Sequence, residues 1–573
     1  MFRGDTAHSG VYSAADRHSY AGMRWSVRLD GPVRGSPVTT GAYIYVGTAR
    51  GTLVALDRGT GELRWRYDAG ASIGATPAVA SGLVVIAGAD GRVHALDART
   101  GAVRWRTAPT RDLPFPWGHE SGDLYLSSPV VAYESVFIGN GDGAIYRLAL
   151  SNGNIEWRFQ TGAPVRSSPA FGDGTVYAGS ADGSVYAIDA VSGKQRWRFD
   201  TEGRGLVSRE FGFDRRTVQS SPALDAGTLY VGARDGFLYA IDRASGALRW
   251  RYDHKVSWIN ASPALAGGLV YAGSSDGHFE QAVDAATGVE RWRTPTQLVV
   301  WGSAAVVGQT LYVGEANGTF YALDAGTGAA RWQWRAGGRI YGSAALADST
   351  IYIGADDGTL NALVTRAGPA LDRAVFWDST LISQTSFAPH AVVRTALEQR
   401  GYRLLSAAAL ASFLGRAADS VAHSTVVFAM DALPRGADSL LAHYLARGGR
   451  VVWLGVPPFL WPPDPATGAR TLKSIDRPGT ERALGVSHRH GNFDSHGGTP
   501  TDAGKRIGLE GWLLYNWSAD TTGVTVLARD TDGRAAAWRK GGFVRLLGGS
   551  WRDGLEPQLI RAIQLAAELV DLP

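Results

Sequence analysis

Eight tryptophans recur along the first two-thirds of this 573-residue chain: Trp25, Trp65, Trp105, Trp157, Trp197, Trp250, Trp292 and Trp332. Successive members lie about 40 residues apart, or about 52 where a loop is inserted. A fixed period of this size means that one supersecondary unit is repeated and stacked, since a single unit cannot bury its apolar face alone. The unit from Ser168-Pro169 to Trp197 is the cleanest: a strand Thr175 to Gly179, the turn Asp182-Gly183, a strand Ser184 to Ile188, a reverse turn Asp189 to Gly193, then Gln195-Arg196-Trp197. This pattern predicts four short antiparallel strands per unit. The turn dipeptide recurs as Asp90-Gly91, Asp142-Gly143, Asp235-Gly236, Asp276-Gly277, Asn317-Gly318 and Asp357-Gly358. A tight hairpin needs positive φ there, so these acids require no chemical role.

The ends of the array say how it closes. The hairpin Thr350 to Leu363 has no Trp strand after it, whereas the chain begins with an orphan one, Met23-Arg24-Trp25-Ser26-Val27. Pairing the two makes a ring without a long free sheet edge, an eight-bladed β-propeller. The period stops at Gly368-Pro369, so residues 1–368 form the propeller and 369–573 a second domain.

The repeat Ala-Leu-Asp-x-x-Thr-Gly-x-x-x-Trp, at Ala55 to Trp65, Ala95 to Trp105 and Ala322 to Trp332, resembles the tryptophan-docking repeat of quinoprotein-type propellers. The opening Met1 to Gly10 is similar to the start of many mature proteins of that group. The resemblance implies the fold for residues 1–368, and it spans two functional classes. Some members are dehydrogenases carrying pyrroloquinoline quinone and calcium; others, such as BamB-type outer-membrane assembly propellers, are non-catalytic scaffolds.

Composition narrows the choice. The formal charge is +4, only five residues are Lys, and no dense basic run occurs, which argues against a nucleic-acid partner. The chain has no Cys, which removes disulfides, thiolate metal sites and cysteine nucleophiles. No apolar run is long enough to span a membrane. No leader peptide is visible, but the chain starts where mature relatives start, so the expected location is the periplasm or the cell exterior.

Aligning the repeats on their Ser-Pro and Ser-Ala steps gives one residue per blade at the mouth of the central channel: Arg34, Gly74, Leu126, Arg166, Gln219, Asn260, Trp301 and Tyr341. Arg34, Arg166, Gln219, Asn260, Trp301 and Tyr341 are the candidate ligand contacts, able to hold an anionic or planar group; the alternative is a plug or a partner-facing surface. Two insertions stand beside the mouth. The first, 107–123, carries Phe115, Trp117, His119 and Glu120; the second, 200–217, carries Arg204, Arg209, Glu210, Phe211, Phe213, Arg215 and Arg216. Phe115, Trp117, His119, Arg209, Phe211 and Phe213 have the chemistry of partner hot spots; alternatively the loops cover the channel or pack on the second domain. The ring itself contains no Asp or Glu, and a calcium-quinone site needs carboxylate ligands.

Beyond residue 368, strands at 374–377, 403–405, 425–430 and 450–455 alternate with helices at 389–400, 407–416 and 436–447, the pattern of a doubly wound parallel sheet. Further strands are expected at 513–517, 524–528, 535–538 and 543–547, with a closing helix at 556–570. Gly448-Gly449 running into Val451 to Gly455, and Gly541-Gly542-Phe543-Val544, resemble the class I glutamine amidotransferase-like fold. Its active members place a cysteine where this chain has Val456-Pro457 and a His-x-Glu pair near Ser550-Trp551-Arg552. The resemblance therefore implies a domain without that acyl-transfer chemistry. Asp378, Ser379, Asp431, Phe459, Trp461 and Trp551 belong to the ligand edge of such a sheet, although Asp378 and Asp431 better suit capping of the helices that follow.

One cluster remains, His488, His490, Asp494 and His496, whose imidazoles and carboxylate suit zinc or another transition metal. A glycine-rich loop with solvated histidines would read the same way. The expectation is a non-catalytic extracytoplasmic scaffold that binds a protein or glycan partner and needs no cofactor. The alternatives are a quinone-dependent oxidoreductase at the channel mouth and a metal-dependent hydrolase at the His488 cluster.

Overall fold

A computed structural model describes the chain except residues 1, 15, 109–125, 207–209, 211–212, 256, 380, 382–389, 431–432, 435, 456–476, 491–497, 511–516, 547–555 and 572–573. It divides into two compact units, residues 1–18 with 26–365 and residues 19–25 with 366–573.

Eight four-stranded antiparallel sheets make the propeller, from Val38–Thr40, Tyr43–Gly47, Thr52–Asp57 and Leu63–Asp68 in the first blade to the eighth. The eighth sheet runs Ser19–Arg28, Thr359–Arg366, Thr350–Gly354, Ala345–Ala347, so the first strand of the chain is the outer strand of the last blade. Ser26 Oγ donates to Asn361 Oδ1 at 2.6 Å and Leu29 N–H to Gly358 O at 2.8 Å.

The recurring motif is a docking device between neighbouring blades. The Asp that ends the third strand accepts the N–H groups two and three residues on, the Thr or Ser hydroxyl, and the Arg before the Trp. In the second blade Asp97 accepts Thr100 Oγ1 at 2.9 Å and Arg104 Nη2 at 2.7 Å, and in the fourth Asp189 holds Ser192 and Arg196 at 2.8 and 2.7 Å. With the hairpin so closed, the indole N–H donates to a carbonyl of the next blade. Trp65 reaches Ala98 O, Trp157 reaches Ala190 O, Trp197 reaches Arg243 O and Trp292 reaches Ala325 O, all within 2.9–3.1 Å. The indole face rests on the next blade's motif glycine: a Cβ at Gly246 would lie 2.8 Å from the Trp197 ring, and φ there is +75°. Glycine is therefore required twice, for conformation and for space.

In the second unit the strands Arg403–Leu405, Asp372–Phe376, Ser424–Phe428, Arg450–Leu454 and Phe543–Leu546 are neighbours in that order and parallel. The sheet then turns antiparallel through Ala535–Lys540, Trp517–Ala519 and His488–His490, with Thr525–Arg529 branching from Ala535–Lys540 and Thr499–Pro500 pairing with Thr525–Arg529. The sheet is thus mixed, and the expected parallel arrangement describes one half of it. Helices Ala407–Leu414 and Ala437–Ala446 pack together, as do His390–Glu398 and Glu556–Glu568. A line of aromatics, Phe376, Phe428, Trp453, Phe543 and Trp538, fills the core.

Candidate functional site

The inner strands present their first residues to the channel, and a hydroxyl at each step binds one blade to the next. Ser128 N–H donates to Ser168 Oγ, Ser168 N–H to Ser221 Oγ, Ser221 N–H to Ser262 Oγ and Ser343 N–H to Ser36 Oγ, at 2.8–3.0 Å. The serine of the Ser-Pro step is thus an interblade link, a role visible in the sequence only as recurrence.

Above this belt the ring expected from the repeats is real: Arg34, Gly74, Leu126, Arg166, Gln219, Asn260, Trp301 and Tyr341 line one cavity of about 70 Å³. Small-molecule sites usually enclose roughly 300–1,000 Å³, so the mouth is closed at that scale. Its side chains are engaged with one another and with residues behind them. Arg34 Nε meets Asp356 Oδ1 at 2.8 Å, and its guanidinium lies 6.0 Å from the Tyr341 ring. Trp301 stacks on Tyr341, centroids 5.6 Å apart and 15° from parallel, while its indole N–H donates to Ser275 Oγ at 3.0 Å. Arg166 is buried.

On the other side of the ring the organiser is Arg234, which sequence reasoning missed. It donates to Gln219 Oε1, to Asn260 Oδ1 at 3.3 Å and to Asp214 Oδ2 at 3.0 Å, and covers the Trp258 ring at 4.5 Å. Asp214 comes from the second insertion, as does Phe213, 6.1 Å from Trp258. Arg204, Arg215 and Arg216 of that insertion are bound to Asp200 Oδ1, Asp235 O and Asp182 O, so these three fasten the loop down. The carboxylates absent from the ring therefore stand just behind it, Asp214 and Asp356, each held by an arginine.

The channel interior is occupied by the chain's own start. Phe2 lines the mouth cavity from within. Arg3 is buried and donates to Ser262 O and to Ala304 O. The carbonyls of Thr6, Ala7, Ser9 and Gly10 accept the N–H groups of Phe171, Leu224, Leu265 and Val306 in turn, at 2.7–2.9 Å, one from each of four consecutive blades. Glu280, fully buried without a hydrogen-bond partner, feels Arg3 as its charge neighbour, and burial raises its pKa to about 8.

Of the remaining candidates, Phe115, Trp117, His119, Arg209, Phe211, Asp494, His496, Asp431, Phe459, Trp461 and Trp551 lie outside the described residues, as does the side chain of His490. His488 lies on a strand rather than in a loop. It is buried, its Nδ1 is 3.2 Å from Val486 O, and its ring is 5.5 Å from Trp538; burial, with Arg545 nearby, lowers its pKa to about 3. Asp378 accepts the N–H of Ala407, the first residue of a helix, at 2.9 Å.

Eight radial sheets, indole docking and a hydroxyl belt define a tryptophan-docked, eight-bladed propeller. The chain belongs to the propeller-repeat family described as outer membrane protein assembly factor BamB, whose repeats match residues 19–115, 89–215, 210–333 and 281–454. Among solved structures, BamB from Moraxella catarrhalis is 22% identical, with a TM-score of 0.50 over 60% of this chain and 99% of that one. A europium-containing methanol dehydrogenase is 15% identical, with a TM-score of 0.53 over 64% of this chain and 97% of its own. The quinohemoprotein alcohol dehydrogenase from Comamonas testosteroni is 18% identical, with a TM-score of 0.53 over 68% and 83%. At these identities the likeness is one of fold. A search of curated proteins found no match.

Proposed function

We propose that this chain is a non-catalytic scaffold outside the cytoplasm that binds a protein partner through the mouth face of the propeller, as the name of its family suggests for an assembly factor. The observation that carries this reading is the self-engaged ring: the guanidinium of Arg34, the amides of Gln219 and Asn260 and the rings of Trp301 and Tyr341 are held by one another or by residues behind them, over a cavity of about 70 Å³. Such a surface is rigid, aromatic and arginine-rich, which suits partner hot spots.

The quinone-calcium group of the dehydrogenase relatives does not fit the residues present. A calcium ion takes six to eight oxygen ligands, carboxylates foremost, and both carboxylates behind the ring are committed to arginines. We read the second unit as an amidotransferase-like sheet recruited for binding; the five parallel strands and the absence of cysteine support this reading.

A photo-crosslinking residue placed at Arg34, with a control at exposed Tyr133 on the opposite rim, tests the proposal in cells. A discrete protein adduct from Arg34 alone supports it. Equal labelling at both positions, or native protein carrying a stoichiometric quinone, overturns it.

A further inference from the structure

The eight blades serve as internal controls for one another, and the junction between the fifth and sixth breaks the pattern twice. From Trp to ring residue the uninterrupted junctions count nine steps, as in Trp157 to Arg166, but Trp250 to Asn260 counts ten. From the end of the second strand to the end of the third, the first five blades and the seventh count ten, as in Gly179 to Asp189, whereas Gly273 to Asp284 counts eleven.

The bond that joins hairpin to junction in the other blades is kept, Ser275 N–H donating to Trp258 O at 3.0 Å as Ala181 N–H does to Pro164 O, so the extra residues bulge beyond it, and Ser257 Oγ lies 2.6 Å from Ser274 Oγ. Each insertion also leaves a side chain at positive φ. His278, at +52°, and not the expected Gly277, stands where the other seven blades have Gly51, Gly91, Gly143, Gly183, Gly236, Gly318 and Gly358; Lys255 is at +64°. Positive φ at residues other than glycine also occurs at the turns of Ser81, Tyr133, Asp173 and Asp348, so what distinguishes His278 is that every sister blade has glycine at its position.

Between the insertions opens a cleft of about 870 Å³, in the upper part of the small-molecule range of roughly 300–1,000 Å³. Part of its wall is closed chemistry: Arg293 pairs with Glu290 at 2.7 Å and donates to the Tyr252 hydroxyl oxygen at 2.9 Å. His254 is buried and lies 2.5 Å from the Gln281 amide nitrogen through Nε2. Among the described residues the side chains of Lys255 and Asp276, both exposed, and of half-buried His278 have neither hydrogen bond nor ion pair, and no set of three His, Asp or Glu converges as a metal site.

We propose that this cleft binds a short peptide with free termini, its ammonium on Asp276 and its carboxylate between Lys255 and His278. A zwitterion is the small-ligand class that satisfies both unpaired charges at once, and the volume favours two or three residues over a single amino acid. The cleft adjoins the channel mouth, since Ser275 of its hairpin holds the Trp301 indole, but peptide binding is read without any protein partner and so fails or stands independently of the reading above.

Isothermal titration calorimetry on the full chain tests it, with trialanine as probe and the N-acetylated, C-amidated tripeptide as comparison. Trialanine is expected to bind at least about tenfold more tightly than the blocked form, with Lys255→Ala and Asp276→Ala each weakening it by about tenfold. His278→Gly restores the residue of the seven sister blades and so folds; it is expected to weaken binding about fivefold. No heat from trialanine, equal binding of the blocked peptide, or unchanged affinity in all three variants overturns the proposal.

Discussion

Arg234 Nη1 lies 3.0 Å from Asp214 Oδ2, and the two side chains are only 6% and 10% exposed. This pair, rather than any ring residue, fixes one side of the channel mouth, because the same guanidinium also carries Gln219 and Asn260.

Removing one partner leaves a buried charge. Arg234→Met is expected to cost about 3–5 kcal/mol, whereas the double variant Arg234→Met, Asp214→Leu recovers most of that loss. Denaturant midpoints of the four proteins in the cycle check this; equal losses in the single and double variants would refute it.

Arg34 and Asp356 form a similar pair nearer to solvent, 24% and 21% exposed. Arg34→Ala is expected to cost no more than about 1 kcal/mol while sharply reducing partner capture. Pull-down yield read against melting temperature separates the two effects.

Docking of each indole on the next glycine predicts a paired comparison. Gly246→Ala and Gly267→Ala both force alanine into positive φ, but only the first meets an indole, while Gly267 has open space around it. The first should lose at least about 1 kcal/mol more than the second, and Trp197→Ala about 3–5 kcal/mol. Equal costs at the two glycines would mean that indole stacking adds nothing.

Glu280 makes propeller stability fall with rising pH. Its folded pKa, about 8, exceeds the ordinary 4.5, so between those values the folded chain holds a proton that the unfolded chain has released. The contribution is largest below pH 4.5 and is lost as pH rises toward 8. Glu280→Gln should flatten this limb in melting curves taken at pH 5 and 8. His488 acts in the opposite sense: its pKa of about 3 lies below the ordinary 6.5, so the second unit weakens as pH falls from 6.5 toward 3, and His488→Phe should reduce that slope.

Much of the propeller was legible because its physics is periodic: Asp189, Gly193 and Trp197 recur with their spacing intact, and the eight ring residues followed from counting. What escaped was aperiodic. Arg234 occupies a place where the fourth blade has Ala181, and nothing local says that its partners lie at Asp214, Gln219 and Asn260. The Ser168 hydroxyl recurs visibly, yet its bond is to another blade. His488 read as part of a glycine-rich loop because spacing alone does not distinguish a loop imidazole from one buried on a strand beside Trp538.

Placing the strand Ser19–Arg28 outside Thr359–Arg366 also orders events at the ribosome. About 340 residues separate the two partners, so at roughly 5–20 residues per second the first strand waits some 20–70 s for its mate. Until then the strand Ser19–Arg28 lacks its blade partner, and residues 6–10 await the four inner strands they will contact. The ring is sealed only when its last blade has been synthesised, which makes quality control of the entire propeller depend on one late pairing.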